Sequence, residues 1–176
     1  QNPNEIITTL KLVFTPAHGG DSFSATWADP ELDGDPTVDD ITLSPNQDYT
    51  VTFHVFNELE EPTEDVTIEI TDEMDEHQVF FSGNAVEGPC NTENPHAILD
   101  HRYNDLDNYG APIGLTNAFT SRATGTGILS VLLRHMPKVN DRPLKTDDLA
   151  AVMDTDGLTA LPGSTDINVN FNVIVE

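Results

Sequence analysis

YTVTFHVF, residues 49–56, is the stretch whose reading decides the fold. Tyr49, Val51, Phe53 and Val55 fall on one side of an extended chain, and Thr50, Thr52, His54 and Phe56 on the other. A period of two carried by β-branched and aromatic residues marks a strand with one face in a core. Pro45-Asn46-Gln47 sets its start.

The same alternation recurs on both sides. Ile6, Thr8, Leu10, Leu12 and Phe14 predict a first strand over residues 5–15, which Pro16 and Gly19-Gly20 end. Phe23, Ala25 and Trp27 alternate with Ser22, Ser24 and Thr26 and complete a hairpin with it. Val66, Ile68 and Ile70 predict a strand over 66–71, and residues 77–82 another after the turn-like Asp72 to Asp75. Residues 97–104 and 113–120 flank the turn DLDNYGAP as a further hairpin. In GTGILSVLLRHM, residues 125–136, Leu129, Val131 and Leu133 alternate with Ile128, Ser130 and Leu132, so both faces of that strand are expected in a core; Pro137 stops it. Ile167, Val169, Phe171, Val173 and Val175 give a closing strand whose other face carries Asn168, Asn170 and Asn172.

One helix is expected, Thr146 to Met153, with Thr146 as N-cap and Asp147 and Asp148 in the first turn, where the helix dipole favours acids. About eight strands, short turn spacing and at most one short helix predict an all-β fold, an antiparallel β-sandwich of immunoglobulin-like or related type. With 176 residues, 37% of them hydrophobic, no linker and no repeat, residues 1–176 read as a single domain.

Charge narrows the partners. Thirty-one acids against seven Lys and Arg give a formal charge of -24. Phosphate backbones and anionic lipid surfaces are recognised by clustered cations, so nucleic acid is excluded as a partner and direct adsorption to a membrane with it. A surface this acidic collects cations instead. The acids are densest from Glu58 to Ser82, a stretch with no Lys or Arg that closes on Glu76-His77-Gln78. Cys90 is the only cysteine, so no intrachain disulfide forms. No GxSxG, phosphate-binding glycine loop or nucleophile beside a base is legible, and the expectation is a non-enzyme.

Three constellations are candidates for metal. Glu31, Asp33 and Asp35 place acids at alternate positions of a tight loop, as Ca²⁺ loops do, with Asp39 or Asp40 nearby; Pro36 stands where such loops carry Gly, and a solvated acidic turn is the alternative. Asp105 and Asp107, with Gly110 at the sharp-turn position, are a second Ca²⁺ candidate against a plain hairpin turn. The third is built from strand histidines, drawn from His54, His77, His101 and His135: His77 beside Glu73 and Glu76, with His135 on another strand, supplies nitrogen and oxygen donors for Zn²⁺ or Cu²⁺. Isolated strand histidines are otherwise hydrogen-bonded structural residues.

DEHQVFF (75–81), LRHMP (133–137) and GSTDINVNFNV (163–173), together with EIITTLKLVFTP, the LDGD loop, NELEEPTEDVT and YNDLDNYGAPIGLT, resemble a family of small Bacteroidota lipoproteins commonly labelled type 1 periplasmic binding fold proteins. The resemblance implies export, a lipidated cysteine upstream of Gln1 as the only membrane attachment, and residence at the outer membrane or cell surface beside a TonB-dependent receptor as partner. It does not extend to VEGPCNTENPHAILDHR. A type 1 periplasmic binding protein has two βαβ domains, which the strand pattern here does not provide. The functional expectation is a surface binding protein accessory to that receptor, holding a metal ion; the alternative is a Ca²⁺-stabilised structural or adhesive module.

Overall fold

The structure, a computed structural model, describes residues 5–176. The expected lipid attachment point, upstream of Gln1, lies outside the described residues. Among the described residues, twelve strands form two sheets. In chain order they are β1 (Thr9–Pro16), β2 (Phe23–Ala28), β3 (Thr37–Val38), β4 (Ile41–Leu43), β5 (Asp48–Asn57), β6 (Glu64–Asp65), β7 (His77–Ser82), β8 (Val86–Glu87), β9 (Leu99–Tyr103), β10 (Thr116–Ser121), β11 (Gly125–His135) and β12 (Ser164–Val175). Eight have five residues or more; β3, β4, β6 and β8 are two- or three-residue additions at sheet edges and strand ends. The larger sheet runs β3-β2-β1-β5-β10-β9-β8, with β6 on the end of β5, and the smaller runs β4-β12-β11-β7. Pairing is antiparallel except for the short contacts β4 with β12 and β8 with β9.

Alternation explains how the sheets face each other. Leu10, Leu12 and Phe14 of β1, Val51, Phe53 and Val55 of β5, Leu129, Val131 and Leu133 of β11, and Val169, Phe171 and Val173 of β12 are all buried in one inter-sheet core. Asn168, Asn170 and Asn172 face solvent, as the sequence predicts. The outer face of the smaller sheet carries a second cluster. There Phe80, Leu132 and Met136 pack with Cys90, Leu161, and Leu149 and Ala150 of helix α2 (Leu149–Asp156). This is why β11 is apolar on both faces.

Three expectations are corrected. Residues 66–71 are not a strand but lie in and before helix α1 (Thr67–Asp72). Val66 and Ile70, one helical turn apart, are buried, while Ile68 is 62% exposed. Beyond β6 the segment has only one side to bury, so a helical spacing of apolar residues serves better than a strand's. The Thr67 hydroxyl accepts from Val55 N and donates to Val55 O, replacing a strand partner at that point of β5. Next, α2 begins at Leu149, and Thr146 does not cap it; the Thr146 hydroxyl donates to Asp148 Oδ1 instead. Finally, the first strand begins only at Thr9. Before it Ile6 is exposed and Ile7 buried, so the alternation flips and Glu5 turns inward.

Candidate metal centre

His77 and His135 open β7 and close β11, and the register sets them directly opposite one another. By strand parity with Val79, Phe81, Val131 and Leu133, both face the inter-sheet space, at one end of the sandwich. Their rings stack at a centroid distance of 4.4 Å, 14° from parallel. Gly163, just before β12, lies against the His135 backbone, where any Cβ would run into the His135 carbonyl oxygen.

Two carboxylates join them. Glu5 arrives from the segment before β1 and Glu73 from the turn after α1; one donor atom from each of Glu5, Glu73, His77 and His135 lies within 4.8 Å of every other. Glu5 Oε1 is 3.2 Å from His77 Nε2 and 3.7 Å from His135 Nδ1. The three side chains are at most 4% exposed. This buried group of two glutamates and two histidines can hold a metal ion.

The histidine tautomer supports that chemistry. A carbonyl only accepts, so at 3.1 Å the His77 Nδ1–H donates to the Glu73 carbonyl. When His77 is neutral, its Nε2 lone pair then points at the Glu5 carboxylate. Two lone pairs face each other unless a proton or a cation lies between them, and an imidazole anchored through its other nitrogen to a carbonyl is the arrangement metal ligands adopt.

Charge is redistributed accordingly. Burial is the largest influence and opposes ionisation of Glu5, but His77, a backbone hydrogen bond and His135 together outweigh it and the Glu5 pKa falls. Burial likewise opposes the charge on His77, and its bond to Glu5, the Glu73 carbonyl and Coulomb attraction to Glu5 raise its pKa overall. Asp166 lies beside Glu5, and burial followed by repulsion from Glu5 pushes its carboxyl up to about 7.

The turn that carries Glu73 is braced from below. Lys145 Nζ donates to Met74 O and pairs with Asp107 Oδ2 at 2.9 Å, both side chains being buried. Alongside the centre lies an acidic cleft of about 420 Å³ lined by Glu64, Asp65, Glu69, Asp72 and Glu73, with Val66 and Ile68.

Of the residues singled out in the sequence, His77 and His135 come together with Glu73. Glu76 does not join them; its carboxylate turns to Lys138, whose Nζ is 3.5 Å away, and to Lys138 N. The reason is the turn into β7, which puts adjacent side chains on opposite sides. Asp105 and Asp107 are consumed by the fold. The Asp105 oxygens accept from Gly114 N and Thr116 N, Asp107 Oδ1 accepts from Tyr109 N and Ala111 N, and Asp107 Oδ2 pairs with Lys145. Among the described residues Asp105 and Asp107 do not gather into a metal-holding group. At Glu31, Asp33 and Asp35 the turn is organised by Asp29, which accepts from Asp33 N and Gly34 N, while Asp33 accepts from Asp35 N. Among the described residues these loop acids do not gather into a metal-holding group. His54 bonds to Thr52, and His101 bonds to Asn117 inside an aromatic cluster with Phe81, Tyr103 and Phe119.

Sequence reasoning missed Glu5 and Asp166. Strand alternation places Glu5 on the face opposite Leu10, and only the flip at Ile6-Ile7 brings it in. No protein-family model, curated protein or solved structure matches the chain.

Proposed function

We propose that the protein is a metal-binding β-sandwich that holds a divalent transition-metal ion, Zn²⁺ or Cu²⁺ by donor type, through Glu5, Glu73, His77 and His135. The observation that carries this reading is the convergence, within 4.8 Å, of four donor atoms from two buried histidines and two half-buried glutamates. Ligand atoms bonded at about 2.0 Å in a tetrahedral centre lie about 3.3 Å apart. The separations of 3.2 and 3.7 Å from Glu5 Oε1 to the two imidazole nitrogens are close to that edge, so side-chain adjustment alone closes the centre. Mixed imidazole and carboxylate donors suit these borderline ions better than Ca²⁺ or Mg²⁺, which take oxygen.

Access and electrostatics agree with a cation ligand. The acidic cleft shares Glu73 with the centre, and the Glu69 pKa there is raised by burial and by repulsion from Glu5, Glu73 and Glu64. Such a surface raises the local cation concentration. The setting belongs to the same proposal: a lipid-tethered protein at the outer membrane or cell surface that passes its ion to a TonB-dependent receptor. Co-purification from native membranes tests that part, and recovery in the cytosolic fraction with no receptor would overturn it.

Calorimetry on chelator-stripped protein tests the site. Wild type takes up Zn²⁺ or Cu²⁺, and His77→Ala and His135→Ala each lose affinity by at least roughly tenfold. Unchanged binding in both variants would sink the reading.

A further inference from the structure

Resting on the metal reading above, we propose that Asp166 is a fifth ligand, making the centre three carboxylates and two imidazoles instead of a four-coordinate set. In the β11–β12 ladder Leu133 pairs with Ile167 and Arg134 with Thr165, so Asp166 is the extra residue of a β-bulge. Without the bulge Asp166 would share the outward face of Asn168 and Asn170. A bulge re-aims a side chain, and this one sends a carboxylate towards Glu5.

Both Asp166 carboxylate oxygens, Glu5 Oε2, Glu73 Oε2 and His135 Nε2 are buried, and no described residue donates a hydrogen bond to them. Arg134 is the neighbouring cation, but its guanidinium is spent elsewhere: it donates to the carbonyls of Leu161, Pro162 and Gly163 and to Thr165 Oγ1. Glu5 and Glu73 converge on the two imidazoles, and Asp166 borders them beside Glu5, with Arg134 acting on it only through Coulomb attraction. Buried acceptors without donors are costly, and a group of them in one place is what an ion's ligand shell looks like before the ion enters.

Asp166 changes what the centre prefers. Four donors favour tetrahedral Zn²⁺, whereas a fifth, oxygen donor shifts preference towards ions that take five or six ligands, Mn²⁺ among them. Asp166 is therefore a specificity-determining residue, and its absence should move selectivity back towards Zn²⁺.

Asp166→Asn tests this, with Co²⁺, Mn²⁺ and Zn²⁺ as probes on the full chain. Wild type should bind about one Co²⁺ with the weak visible absorption of a five- or six-coordinate ion, and the variant should show the several-fold stronger bands of a four-coordinate one. Mn²⁺ affinity should drop by roughly tenfold or more in the variant while Zn²⁺ affinity falls less. The metal-free variant should melt no lower than wild type, because a buried carboxyl among carboxylates is replaced by a neutral isostere. Identical Co²⁺ spectra, equal losses for Mn²⁺ and Zn²⁺, two ions per chain, or a lowered metal-free melting temperature would each overturn the fifth-ligand role. If wild type binds none of the three ions, the metal reading fails first.

Discussion

His77 does two jobs with its two nitrogens. Nδ1 fixes the ring on the Glu73 carbonyl, and Nε2 meets Glu5, so the centre depends on the ring's orientation as much as on its presence. His77→Gln retains hydrogen bonding but has no imidazole lone pair, and its Zn²⁺ affinity should fall as far as that of His77→Ala; retained affinity would mean the nitrogen is not a ligand. Glu76→Ala is the contrasting substitution. Glu76 is adjacent in sequence but bonded to Lys138, so metal affinity should stay within about threefold of wild type in the same titration. The Lys145–Asp107 pair belongs to this scale too. Lys145→Met leaves Asp107 buried without its cation, which should cost about 3–5 kcal/mol in urea unfolding. A loss below 1 kcal/mol would show that water or a neighbouring group compensates.

At the scale of elements, strands were legible wherever both alternation and a facing sheet existed. β5, β11 and β12 follow their sequence patterns because each has a continuous core to face. Three features were not legible. The segment after β6 reads as a strand through Val66, Ile68 and Ile70, yet at the end of the sandwich it is buried on one side only and forms α1. Glu5 and Asp166 come inward through a flip and a bulge, and both break the period of two on which the reading depends. Three of the four donors were therefore readable, since His77 and His135 sit on regular strands and Glu73 lies close to His77 in sequence, while Glu5 was hidden in irregular backbone. The helix can be checked by two substitutions. Ile70→Ala should destabilise by about 2–5 kcal/mol and Ile68→Ala by less than about 0.5 kcal/mol. Equal costs would restore the strand, in which both side chains share a face.

For the whole molecule, the net charge of -24 and a buried neutral histidine set the response to pH. His101 is 2% exposed, and burial, only partly offset by its bond to Asn117, lowers its pKa to about 4. The unfolded chain takes up the His101 proton near pH 6.5 while the folded chain does not. This contribution is thus fully present above about pH 6.5 and lost as pH falls towards 4, amounting to about 3 kcal/mol over that window. Urea unfolding of wild type and His101→Leu at pH 7 and pH 5 should show a smaller pH dependence in the variant; parallel profiles would remove His101 as the cause.

The sandwich as a whole brings a leading segment, a helix-end turn and two strands to one end, and the central claim is that they meet there around an ion. Anomalous diffraction at the metal edge from crystals of zinc-loaded protein tests it most directly. The account predicts one strong peak about 2.0–2.2 Å from donor atoms of Glu5, Glu73, His77 and His135. Absence of density there, or a peak only among the loop acids around Asp33, would contradict it.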